Sequence, residues 1–257
     1  GMFCGSCMHD NTWARALISA GARVSLIPTY TPIRVDEEDV SRDDVHFGGI
    51  GVYLGHRVPG WRRLPRKLTR WLDRPWVIRL VTQFGVSTDA RHLGALTLEM
   101  LAGDDGPHAA GVTELAELVA DELKPDIVCF SNSLLAGAVS AIKQRFDVPV
   151  LCVLQGDDVF LEGLTEPYRT QAIETIHDRC GDFDGFLVHS DYYRDFMVRY
   201  LGLDQRDFHR IPLGIDLELH DGEPVERGNE RFTVGYFARI CPEKGLDRLI
   251  KAFRILH

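Results

Sequence analysis

The sequence lacks any run of eighteen or more apolar residues, so no stretch of it reads as a membrane-spanning helix. Its opening residues show no basic segment leading into an apolar one, so no secretory signal is visible. Cysteine is sparse. Six in 257 residues do not make a disulfide scaffold, and free thiols in a cytoplasmic setting are expected. Positive charge is in deficit: 29 Lys and Arg face 38 Asp and Glu, and a net charge of −9 argues against nucleic acid as a main partner. A second Cys-x-x-Cys pair is missing too, so Cys4-Gly5-Ser6-Cys7 has no companion for a zinc site, and no metal site is expected. What is present is an ordinary globular composition, 45% hydrophobic and 26% charged. The length suits one large domain or two small ones.

Near the N-terminus, Thr12 to Gly21 reads as a helix stopped by its glycine, and Ala22 to Thr29 as a strand. The stretch from Met2 to Asn11 then becomes the loop in front of a Rossmann-type helix. A strand should precede that loop, yet only Met2 and Phe3 are there, so the first strand is expected to be missing. Cys4 to Cys7 admits two readings. One is thiol–disulfide chemistry, with a helix N-terminus lowering a thiol pKa. The other, favoured by the long α/β chain that follows, is a tight cleft loop in which Gly5 lets a ligand come close.

Val45 to Leu54 reads as a strand interrupted by glycines. From Trp61 to Arg79 seven arginines and lysines oppose one acid, Asp73, while Trp61, Leu64, Leu68, Trp71 and Leu72 share a helical face. Two readings stay open for residues 61–79: a helix packed by its tryptophans with a solvated basic side, or one making peripheral contact with an anionic membrane surface. Farther on, residues 89–102 and 111–123 read as helices, Asp126–Phe130 as a strand, Leu134–Phe146 as a helix and Val148–Leu154 as a strand. Pro167–Arg179 is helical, Asp184–Ser190 a strand with His189 as a structural residue at its end, and Tyr192–Leu201 a helix. This alternation predicts an α/β fold: a Rossmann-like parallel sheet with helices on both faces, and function at the carboxyl ends of the strands. Gln155-Gly156-Asp157-Asp158 leaves the second of those strands and is therefore a candidate site segment.

The last distinctive stretch runs from Phe232 to Phe253. Phe232–Phe237 reads as a buried strand, Pro242 and Gly245 mark a turn, and Leu246, Leu249, Ile250 and Phe253 recur on one helical face. Arg239 and Lys244 sit in that turn, where two cations beside a helix N-terminus make an anion site of diphosphate size. The order Gly235, Arg239, Pro242-Glu243-Lys244-Gly245, Leu249-Ile250, Ala252 resembles the opening of the donor-binding domain of family-4 retaining glycosyltransferases, which have the GT-B architecture. Upstream, Arg210-Ile211-Pro212-Leu213-Gly214-Ile215-Asp216 resembles that family's Pro-x-Gly-x-Asp segment, in the same order and near the same separation.

The resemblance implies an acceptor-side Rossmann-like domain over 2–218, a linker over 219–231 and the first strand and helix of an incomplete second Rossmann-like domain over 232–257. It implies transfer of a sugar, with retention, from a UDP- or GDP-sugar donor to a carbohydrate or lipid-linked hydroxyl acceptor. No cofactor is required, and the location is cytoplasmic or at the inner face of the membrane. Arg239 and Lys244 would hold the diphosphate. Gly5 and Gly156 would line the cleft, with Gln155 and Asp157 as the catalytic candidates. Family members commonly carry His-Gly where this chain has Gln155-Gly156, and a glutamine hydrogen-bonds but does not titrate. This chain alone is expected to be inactive, since the acidic donor-site segment is absent. Phe232–Phe237 is expected to fill a sheet position, in the same chain or in a strand-swapped homodimer. The alternatives are a non-catalytic fragment or nucleotide-sugar binding module, and a GT-B-type sugar-nucleotide epimerase.

Overall fold

A computed structural model of the chain describes residues 5–30, 32–47, 77, 90–215, 217, 222, 233–238 and 240–256. Its contacts divide into two units, Gly1–Ile215 and Asp216–His257.

The first unit is α/β. Four strands, β1 (Val128–Phe130), β2 (Val150–Val153), β3 (Gly185–Val188) and β4 (Phe208–Arg210), pair in parallel in the order β1-β2-β3-β4. The register sets Val128 opposite Val150, Leu151 opposite Gly185 and Phe186 opposite Phe208. Parallel neighbours need a crossover, and each one here carries helix. A 3-10 segment (Ser133–Ala138) and α4 (Val139–Arg145) join β1 to β2. Helices α5 (Asp157–Glu162) and α6 (Tyr168–Cys180) join β2 to β3, and α7 (Asp191–Leu201) joins β3 to β4. Before the sheet lie α1 (Gly5–Ser19), α2 (Gly94–Leu101) and α3 (Ala109–Glu117), the last running on through wider turns to Leu123.

Sequence explains the strands well. Val-Leu-Cys-Val in β2 and Gly-Phe-Leu-Val in β3 are short apolar runs, and all of β3 is buried, as a strand covered on both faces must be. Leu101, Ile142, Leu154, Leu161, Ile176, Met197 and Leu201 are fully buried around them. Phe130, Phe183, Phe186 and Phe208 form an aromatic row along the sheet, with successive centroids 6.1, 5.7 and 5.1 Å apart. Asp184 ties the N-terminal edge: its carboxylate accepts from the Val150 N–H at 2.7 Å and from Lys143 Nζ at 2.8 Å. Burial pushes that carboxyl up, but the bonds from Lys143 and Val150 more than offset it, leaving the pKa below the ordinary value.

One backbone contact sets how the helices lie. Gly103, at φ +66°, and Gly137 meet so closely that a Cβ on Gly103 would stand 2.0 Å from the Gly137 carbonyl oxygen. A Cβ on Gly137 would stand 2.6 Å from the Leu101 carbonyl oxygen. The end of α2 therefore packs backbone to backbone against the 3-10 segment.

Several expectations change. The opening loop is instead the first turns of α1, which takes in Gly5 and Cys7, so Gly5 lies in a helix and not in a cleft loop. Ala22–Thr29 forms only isolated parallel bridges, Leu26 with Ser41 and Thr29 with His46, because Pro28 has no N–H to continue a ladder. Helix α5 begins within the Gln155–Asp158 segment, and strand β4 ends at Arg210, where the Pro-x-Gly-x-Asp segment begins. The basic stretch 61–79, apart from Val77, lies outside the described residues, as do Cys4 and most of 45–54.

In the second unit, Cys241 leads into a 3-10 turn, Pro242–Lys244, then Gly245 at φ +69° and α8 (Leu246–Leu256). No strand forms over the described part of Phe232–Phe237: residues 233–237 take no regular secondary structure, and Phe237 is fully exposed. All the sheet's strands come from the first unit. No residue of α8 is buried, and Ile250, Phe253, Ile255 and Leu256 stand exposed.

Candidate functional site

Parallel strands end on one side of the sheet, and the loops that leave them there carry the polar side chains. After β1, Asn132 caps the 3-10 segment by accepting from the Leu134 N–H at 3.1 Å, and Ser133 is fully buried. After β3, Ser190 caps α7 by accepting from the Tyr193 N–H at 3.2 Å. After β4, the Ile211 N–H donates to the Val188 carbonyl at 2.8 Å. Between them the chain leaves β2 through Leu154, Gln155, Gly156 and Asp157.

Gln155 is half-buried and held firmly. Its Nε2 donates to Asp10 Oδ1 at 3.1 Å and to the Ser131 carbonyl at 3.2 Å. Asp10 lies on α1, and His9 Nδ1 is 3.3 Å from the same carboxylate oxygen. The His9 ring meets His189 edge to face, with centroids 4.6 Å apart, and His189 Nδ1 is 2.9 Å from the Ile211 carbonyl. Helix α1 is itself pinned through Asn11, which is fully buried, donates to the Glu38 carbonyl at 2.9 Å and accepts from the Val40 N–H at 3.0 Å. Thr12 and Arg15 of the same helix bond the two carboxylate oxygens of Glu37.

Gly156 takes φ +102°, and a Cβ built on it meets nothing within 4 Å. The conformation favours glycine, while the space beside it is open. Its N–H donates to Tyr193 Oη at 2.9 Å, and that hydroxyl donates on to Asp158 Oδ1 at 2.6 Å. One tyrosine from α7 thus holds both sides of the turn.

Asp157 turns inward. Only 5% exposed, it accepts from the Ser133 N–H and Oγ, both at 3.4 Å. Burial pushes its carboxyl up to about 7, against the lowering effect of Ser133, and Asp158 adds to the rise. Cys152 and Cys180 share that interior. Burial and then Asp157 push the Cys152 thiol well above its ordinary value, and Cys180 rises to about 12 for the same reasons, so neither forms thiolate near neutral pH.

The structure therefore brings Gln155 and Gly156 together at the strand ends, with Asp157 behind them. Gly5 lies exposed at the start of α1, five residues before Asp10. Lys244 closes the 3-10 turn of the second unit, exposed, and Arg239 lies outside the described residues. Among the described residues no group of three or more His, Cys, Asp or Glu is placed to hold a metal ion. No helix among them is long and apolar enough to cross a membrane. Sequence reasoning missed Asp10, His9 and Tyr193, and took His189 as structural. The position of His189 one residue past an apolar strand was the available signal.

Residues 100–219 match the model of Glycosyltransferase Family 4, a stretch that contains β1 to β4 and every loop at their carboxyl ends. No curated protein and no solved structure matches the chain. This part of the chain is accordingly similar to a family-4 glycosyltransferase domain, and it is built on a four-stranded parallel sheet flanked by helices.

Proposed function

We propose that the chain carries the acceptor-side domain of a retaining glycosyltransferase of GT-B architecture, moving a sugar from a nucleotide-sugar donor to a hydroxyl acceptor. The observation that carries it is the coincidence of the family match with the parallel sheet whose carboxyl edge presents Gln155 and the open side of Gly156. Function in such sheets lies at that edge.

In this scheme Lys244 and Arg239 grip the donor diphosphate at the turn before α8 and offset charge growing on the leaving group. Lys244 is exposed and free to reach an anion, and the turn presents the start of an eleven-residue helix. Gln155 orients a reacting sugar by hydrogen bonds, its amide fixed by Asp10 and Ser131. Asp157 acts one step back. It positions the Ser133 loop against the β2 turn and does not itself meet substrate.

Calorimetric titration with UDP, GDP and their sugar conjugates tests the proposal. Binding tighter than about 100 μM, about −5.5 kcal/mol, should be seen for one base series and should be lost in Lys244→Ala and Arg239→Ala. Failure of every one of these nucleotides to bind overturns it.

A further inference from the structure

The two ring nitrogens of His189 have different surroundings. Nδ1 lies 2.9 Å from the Ile211 carbonyl, and a carbonyl only accepts, so Nδ1 carries the proton. In the neutral ring Nε2 is then a bare lone pair. That atom is buried and meets no hydrogen-bond partner. Buried polar atoms without partners are uncommon and call for a cause.

Gln155 repeats the pattern. Both hydrogens of its Nε2 are spent, on Asp10 and on Ser131, which fixes the amide and leaves Oε1 as its acceptor. Asp10 adds a carboxylate, and His9 spans the group, 3.3 Å from Asp10 and edge to face with His189. The cluster thus spends its donors internally and keeps acceptors in reserve. A phosphate brings lone pairs of its own and would meet the charge of Asp10. A hydroxyl brings the donor that is wanted.

We infer that His189 Nε2 is a ligand-binding acceptor for a hydroxyl group of a polyhydroxylated molecule, admitted when the His9 ring turns aside. The inference rests on the proposed transfer reaction only for the source of that hydroxyl: the sugar of the nucleotide donor, or a free carbohydrate acceptor. In either case His189 holds and orients the group, and no bond is made or broken at the ring.

The test uses the whole chain with ¹⁵N-labelled histidine, following the His189 Nε2 resonance, which His189→Phe assigns by its loss. The probes are methyl α-glucoside, methyl α-mannoside, UDP-glucose, GDP-mannose, UDP and inorganic phosphate. A saturable shift with the free glycosides identifies the acceptor as the source; a shift with the sugar nucleotides alone identifies the donor. UDP and phosphate should leave the resonance in place, and His9→Ala should strengthen sugar binding several-fold by removing the cover. The inference falls if no sugar moves the resonance, if phosphate moves it as strongly, or if His189→Phe binds sugars with unchanged affinity. Weaker binding in His9→Ala overturns the role of that ring as a cover. If free glycosides shift His189 while no nucleotide binds anywhere, the transferase proposal fails and the His189 site stands.

Discussion

Asp157 makes the sharpest prediction at the scale of single residues. Burial raises its carboxyl from an ordinary value near 3.8 to about 7 in the folded chain. The folded state therefore holds the proton more tightly than the unfolded one. The resulting stability is complete below about pH 4, declines as pH rises, and is gone above about pH 7. The shift is worth roughly 4 kcal/mol. Urea unfolding at pH 4.5 and 7.5 should show this fall in the wild type, and a much flatter profile in Asp157→Asn. Parallel profiles would refute the assignment. Tyr193→Phe should cost about 1–3 kcal/mol, because the Gly156 N–H and Asp158 both lose their partner. A double-mutant cycle with Asp158→Asn should recover part of that as coupling. Gln155 and Gly156 were legible in the sequence from their place after an apolar strand. Asp10 was not, because its bond to Gln155 joins residues 145 apart in the chain. No local pattern records such a contact.

At the scale of elements, the same substitution should act with opposite sign at two glycines. Gly137→Ala drives a methyl into the Leu101 carbonyl and should destabilise by about 1–3 kcal/mol. Gly5→Ala adds a methyl to open space on an exposed helix turn and should stabilise by up to about 1 kcal/mol. Thermal unfolding of the two variants checks both signs. Strands β1, β2 and β3 could be read in advance because each is an apolar run between turn residues. Strand β4 could not: His209 and Arg210 are exposed and polar, and the strand exists because β3 offers it an edge. Helix α1 hid its first turns behind Cys-Gly-Ser-Cys, a composition that suggests a loop. Residues 233–237 failed in the opposite direction, with strand composition and no regular secondary structure.

The whole molecule is uneven in how its parts are held. The first unit has a continuous buried core, whereas α8 of the second has no buried residue. Hydrogen exchange should therefore be slow across β1 to β4 and fast throughout α8, and limited proteolysis should cut within α8 before it cuts within the sheet. Protection of α8 equal to that of β2 would contradict this. Fold class was legible from the strand–helix alternation alone. The placement of the second unit's segments was not, since composition shows what a segment can become and not what lies next to it.

Ile211 has two attachments whose combination matters. Its N–H closes β4 onto β3, and its carbonyl holds the His189 ring proton. One peptide unit therefore couples the fraying of a short edge strand to the proton arrangement of an imidazole. When that end opens, Nδ1–H loses its acceptor and the proton is released to exchange between the two nitrogens. Amide exchange at Ile211 and tautomer exchange at His189 should then run on a single clock, set by the same opening.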